Sequence, residues 1–109
     1  MNKYHNKKIM VDGVLFDSKK EYKRYLDLKL LEKAGRIKDL ERQVSFELQP
    51  AFTLNNKKIQ KITYIADFVY FDNDKNKQIV EDVKGFRTKD YNLKKKLFAY
   101  KYGFEIEEI

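Results

Sequence analysis

Apolar residues along this chain recur with two different periods, and each change of period marks an element. Lys7 to Phe16 alternates around Asp12-Gly13, a strong turn dipeptide, and predicts a short hairpin. A helical spacing follows, from Asp17-Ser18 to Ala34, with Gly35 placed to end the helix. Val44 to Leu48 alternates like a strand and is closed by Pro50. Lys57 to Phe71 and Gln78 to Val83 read as the two arms of a central hairpin, joined by the polar turn Asp72 to Lys77. Asp90 to Tyr102 predicts a second helix stopped by Gly103, with Leu93, Leu97 and Tyr100 as the stripe facing the sheet. Phe104 to Ile109 alternates apolar and acidic residues like a last strand. No Gly/Ser linker, repeat or low-complexity tract interrupts residues 1–109, so a single domain is expected. The order αβββαβ predicts an α/β fold: a mixed sheet flanked by helices.

The central hairpin carries acids where hydrophobes are expected. Asp67 interrupts Tyr64-Ile65-Ala66-Asp67-Phe68-Val69, and Asp82 interrupts Ile79-Val80-Glu81-Asp82-Val83-Lys84. A hairpin symmetrical about its turn pairs Asp72 with Lys77 and therefore sets Asp67 across from Asp82. Directly opposed residues share a face, with Cβ atoms about 5 Å apart. Asp82 and Lys84 also share a face, since side chains alternate with period 2, whereas Glu81 points the other way. Two carboxylates and an ammonium then converge, a geometry suited to a divalent metal and an activated water. The bland alternative is a surface hairpin with a cross-strand ion pair. Aspartate is disfavoured in strands, and burying it unpaired is costly, which argues for a role.

Glu21 is the third acid. It shares a helical stripe with Tyr25, Leu28 and Glu32. Ser18-x-x-Glu21 is also a capping box, in which Glu21 reaches back to the backbone at the helix start. The two roles are compatible, because a carboxylate has two oxygens.

An acid on a first helix, an acid on a strand, D-x-K on the next strand and then a basic helix resembles the PD-(D/E)XK nuclease superfamily. Asp67 matches the first acid of that motif, with Ala66 in place of the usual proline. Asp82 and Lys84 match its (D/E)-x-K, and Glu21 matches the helix-one glutamate of many members. More narrowly, V-D-G-V-L-F-D-S-K-K-E (residues 11–21), F-E-L-Q-P (46–50) and V-E-D-V-K-G-F-R-T-K (80–89) resemble a family of small phage endonucleases. The acid order is also similar to phage Holliday-junction resolvases. The resemblance implies a restriction-endonuclease-like core and hydrolysis of DNA phosphodiesters with Mg²⁺ or Mn²⁺. It implies that Asp67, Asp82, Glu21 and the Val83 carbonyl hold the ion and that Lys84 serves the attacking water. Branched or distorted DNA would be the substrate, in the host cytoplasm if the chain is phage-encoded.

Composition adds a polyanion-binding tendency: the net charge is +7 and the pI near 9.4. Lys94, Lys95, Lys96 and Lys101 flank the second helix, and Arg87 and Lys89 precede it, so this helix is the expected DNA contact. The alternative is an ordinary solvated helix whose lysines offset Glu105, Glu107 and Glu108. The absence of cysteine excludes disulfides and zinc–thiolate sites, and a cytoplasmic setting is the default. No run is long enough to span a membrane. Glycines at 13, 35, 85 and 103 are scattered singly and form no phosphate loop. With His5 as the single histidine, the sequence argues against a Ser-His-Asp or His-metal centre. The reading that results is a metal-dependent DNA endonuclease, with a homodimer expected through the apolar N-terminal hairpin. Its rivals are a non-catalytic nucleic-acid-binding module of the same fold and a phage structural or inhibitory protein.

Overall fold

A computed structural model describes residues 7–83 and 87–109. The chain opens with a hairpin, β1 (Ile9–Val11) and β2 (Val14–Phe16). Asp12 and Gly13 both take positive φ, 50° and 78°, as a two-residue turn between twisted strands requires. Helix α1 (Lys19–Lys33) begins where Ser18 Oγ accepts the Glu21 N–H, and Lys33 sits in its last turn. Then come β3 (Ile37–Gln49), the short pair β4 (Phe52–Leu54) and β5 (Lys57–Ile59), and the long strand β6 (Ile62–Asp72). Strand β7 (Lys77–Asp82), helix α2 (Lys89–Tyr102) and β8 (Glu107–Glu108) complete the chain. Thr88 caps α2, and Gly103 ends it in the left-handed conformation.

The main sheet has the order β3-β6-β7-β8, antiparallel except for the parallel β7–β8 pair. With α1 and α2 inserted, its elements run αβββαβ, an α/β fold with a mixed sheet as expected. The central register also matches: Asp72 pairs with Lys77 and Phe68 with Glu81. Other boundaries differ. The expected single strand from Lys57 breaks at Gln60-Lys61, and β4–β5 forms a separate ribbon. Strand β3 begins seven residues earlier than Val44, because Ile37 and Leu40 pack on the sheet. The last strand shortens to two residues.

Two apolar layers sandwich the sheet. Leu28 of α1 packs with Ile37, Phe68, Tyr70 and Ile79. Phe98 and Tyr91 of α2 pack with Tyr64, Ala66, Val69, Val80 and Ile106 on the other face. The expected α2 stripe is corrected here: Leu93 and Tyr100 are exposed, and Tyr91 and Phe98 are buried. Aromatic volume decides this, since Phe98 fills the space between Phe46, Tyr64, Tyr102 and Phe104. No helix among the described residues is long and apolar enough to cross a membrane.

One irregularity positions everything that follows. Ala66 packs on the α2 side, yet Phe68, two residues on, packs on the α1 side. Regular alternation would keep them together. Strand β3 does the same: Val44 packs toward α2, whereas Arg42 lies over Phe16 and Tyr25 on the α1 side. Gln43, between them, has φ 52°. Arg42 pairs with Phe68 and Val44 with Ala66, so Gln43 and Asp67 stand opposite each other where both strands turn over.

Candidate metal centre

Asp17, Glu21 and Asp67 each contribute a carboxylate oxygen to a group lying within 4.8 Å of one another. Asp17 comes from the turn before α1, Glu21 from its first turn, and Asp67 from the irregular point of β6. Glu21 is buried, Asp67 half-buried and Asp17 exposed, so the group is closed below and open above. The Glu21 backbone N–H donates to Ser18 Oγ at 3.1 Å, as the capping box requires. The reciprocal bond differs by one residue: Glu21 Oε2 accepts from the Asp17 N–H at 3.2 Å. Glu21 Oε1 is left for the sheet, where it accepts from Gln43 Nε2 at 3.1 Å and Arg42 at 3.3 Å.

Asp67 is held from two sides. Its Oδ1 accepts from Gln43 Nε2 at 3.3 Å, and its Oδ2 accepts the Val83 N–H at 2.7 Å. Gln43 therefore bridges Glu21 and Asp67, and the Val83 peptide at the end of β7 lies against the same carboxylate. Lys84, the next residue, lies outside the described residues, as does His5.

Burial raises the Glu21 pKa, and the nearby Asp17 carboxylate raises it further; the Asp17 N–H and Arg42 act in the opposite direction. The Arg42 guanidinium stacks 4.1 Å above Phe16 and also donates to the Leu15 carbonyl, which fixes it beside Glu21. Three carboxylates suit a hard cation such as Mg²⁺ or Mn²⁺. A bound dication would also relieve the crowding of negative charge that raises Glu21.

Asp82, expected to converge with Asp67, ends β7, and the N–H of its neighbour Val83 donates to Asp67. Asp82 itself is not in the three-carboxylate group. It is 1% exposed on the α2 side of β7, where its Oδ2 accepts from Tyr64 Oη at 2.5 Å. The register is the expected one, and the charges of both Asp82 and Asp67 act on the Tyr64 phenol. Glu81 lies on the α1 side, paired bidentately with Arg24 at 2.8 and 2.6 Å and bonded by Tyr70 Oη. Gln43, like Gln49, was readable from the sequence only as a candidate to support the ligands; Asp17 and Arg42 were not legible as site features. Asp17 had one signal, its position directly before the Ser18 cap.

The expected DNA-contacting cations are also largely engaged within the chain. Arg87 and Lys95 pair with Glu108 at 2.9 and 3.2 Å. Lys94 pairs with Asp90 at 3.5 Å, and Lys101 donates to the Glu47 carbonyl at 2.8 Å. Lys89 and Lys96 are exposed on α2. Of the tail acids, Glu108 alone is paired among the described residues, with Arg87 and Lys95; Lys94 and Lys101 are held by Asp90 and Glu47.

A family model matches residues 1–107, nearly the whole chain. The chain belongs to the DUF1064 family. That family is described as proteins of unknown function. Searches of the curated proteins and of the solved structures each return no match.

Proposed function

We propose that this member of the DUF1064 family is a divalent-metal-dependent DNA endonuclease of the PD-(D/E)XK type. The observation that carries the reading is the meeting of Glu21 and Asp67, the helix acid and first strand acid of that motif, beside the peptide of Val83. Glu21, Asp67 and Asp17 would hold Mg²⁺ or Mn²⁺, with the Val83 carbonyl as a further oxygen donor. The ion would supply polarisation of the scissile phosphate and an acidified water. Gln43 keeps Glu21 and Asp67 at a fixed separation and leaves Asp17 on the open side. Arg42 balances charge at the buried end. Lys84, one residue beyond Val83, would orient the attacking water and offset charge on the phosphorane. Asp82, whose Oδ2 is held by Tyr64, would offer its Oδ1 to the ion.

The test is incubation with supercoiled, linear and four-way-junction DNA in Mg²⁺, in Mn²⁺ and in chelator. Cleavage in either ion, lost in chelator and in Asp67→Asn, is the expected result. Cleavage that persists undiminished in excess chelator overturns the metal role. A second reading, a non-catalytic nucleic-acid-binding module, draws on Gln43 and Tyr64 already occupying the acids. It predicts DNA binding with no cleavage under any of these conditions.

A further inference from the structure

The ribbon β4–β5 stands away from both apolar layers, and every residue from Pro50 to Ile62 is exposed. Its turn is built to project: Asn55 and Asn56 both take positive φ, 50° and 62°, and Leu54 pairs with Lys57 across them. Pairing of Phe52 with Ile59 and Leu54 with Lys57 puts three apolar side chains and a lysine on one face. Thr53 and Lys58 occupy the other. Phe52, Leu54 and Ile59 are 44%, 58% and 38% exposed and belong to neither apolar layer among the described residues. An isolated two-stranded ribbon is marginal in water, so a surface that covers it would stabilise it. The radius of gyration is 16.0 Å, against about 13 Å for a compact chain near 100 residues, in keeping with projecting elements.

Charge identifies the partner. From Leu48 to Ala66 the sequence holds Lys57, Lys58 and Lys61 and no acid. These lysines are exposed. The ribbon is also continuous with the candidate metal centre. Below the turnover of faces, Thr63, Ile65 and Asp67 lie on one side of β6, with Ser45 and Gln43 beside them on β3. Ile65 is 55% exposed there, because α1 covers the sheet only on the far side of Asp67. A bare strip of sheet therefore runs from the carboxylates toward the ribbon.

We infer that the β4–β5 ribbon is a DNA-binding arm: Lys57, Lys58 and Lys61 contact the phosphates of a duplex lying along this strip, and Phe52 and Leu54 rest on its sugars and bases. The inference rests on the nucleic-acid reading above, but not on catalysis. Each lysine–phosphate contact contributes about 0.9 to the slope of log affinity against log salt. Apolar side chains of such ribbons can wedge into a minor groove.

The experiment measures binding of a fluorescent duplex by the full chain in chelator, where no metal-dependent cutting occurs. Salt is titrated from 50 to 200 mM. Lys57→Gln, Lys58→Gln and Lys61→Gln combined should lower the salt slope by about 2 to 3 and weaken binding at least tenfold at low salt. Phe52→Ala with Leu54→Ala should weaken binding and leave the slope unchanged. Far-UV circular dichroism and the melting temperature should match the parent, since the arm is outside both layers. An unchanged slope and affinity in the triple variant overturns the inference. So does a variant that binds DNA normally but loses concentration-dependent self-association, which would make the ribbon a contact between copies. Binding lost in the arm variants of a protein that cuts nothing retains the arm and rejects only the nuclease reading. A parent chain that binds no duplex at all overturns both.

Discussion

Gln43 and Asp67 stand opposite each other on β3 and β6 and are joined by a 3.3 Å hydrogen bond, at the point where both strands exchange their faces. The exchange keeps the register and reverses the alternation. It turns Asp67 toward α1 and the buried Glu21, and it leaves Asp82 with Tyr64 on the opposite side. One local irregularity thus accompanies the meeting of Asp67 with Glu21.

Direct ion binding should follow the same grouping. Mn²⁺ titration by calorimetry or paramagnetic resonance should give a site that weakens at least tenfold in Asp67→Asn and in Glu21→Gln. Affinity should rise with pH through the carboxylate range, because Glu21 must lose a proton whose pKa burial has raised. An affinity indifferent to both substitutions would remove these residues from the ion's coordination.

Asp82 and Tyr64 form a buried pair, and Tyr64→Phe removes a donor from that carboxylate. The expected cost is about 1–3 kcal/mol in denaturant unfolding. The phenol itself is pushed above its usual pKa, by burial first and then by the Asp82 bond, so it stays a donor at any working pH. A neutral substitution would show that the pair contributes nothing to the fold.

The Arg24–Glu81 pair ties α1 to β7. Arg24→Ala should destabilise by about 3 kcal/mol or more, since it leaves Glu81 buried without its bidentate partner. Double substitution to Arg24→Met with Glu81→Leu should recover most of the loss. Thermal unfolding of the three variants checks both statements, and equal melting temperatures for all of them would contradict the first.

Acid stability should report the tail. Arg87 first, then Tyr91 and Lys95, hold Glu108 down to about 2, below its ordinary value of 4.5. A lowered folded-state pKa means the unfolded chain binds more protons between those values. Stability from this group is therefore present above pH 4.5 and is lost as pH falls toward 2. Glu108→Gln should flatten the unfolding free energy over that window. Glu21 has the opposite sign: its raised pKa lowers stability as pH rises through its titration.

Cutting both strands symmetrically needs two centres related by a two-fold axis. The hairpin β1–β2 exposes Met10, Val14 and Leu15, at 64%, 39% and 47%, and these form the proposed dimer contact. Light scattering at micromolar concentrations should show a dimer that Met10→Lys with Leu15→Lys dissociates. A parent chain that stays monomeric with and without junction DNA would refute it.

The elements and the hairpin register were readable from the residues alone, because their signals are local. Asp12-Gly13, Ser18, Gly35 and Gly103 fix turn and helix ends through backbone preferences that a short stretch contains. The symmetry of the turn between Asp72 and Lys77 set the register in the same way. Period 2 also named Asp67 and Asp82 as acids out of place, and the helical stripe with its capping box named Glu21. What it could not give was the face on which Asp67 lies. That depends on Gln43 and Asp67 turning over together, a choice made by pairing between strands far apart in sequence. Likewise the sequence pointed to Leu93, Leu97 and Tyr100 as the buried stripe of α2, and packing space around Phe98 selected Tyr91 and Phe98 instead. Local chemistry therefore settled which elements form and which residues are suspect. Only the packed sheet decided that Glu21 and Asp17 join Asp67, because hydrogen bonding and burial across distant strands have no signature in sequence spacing.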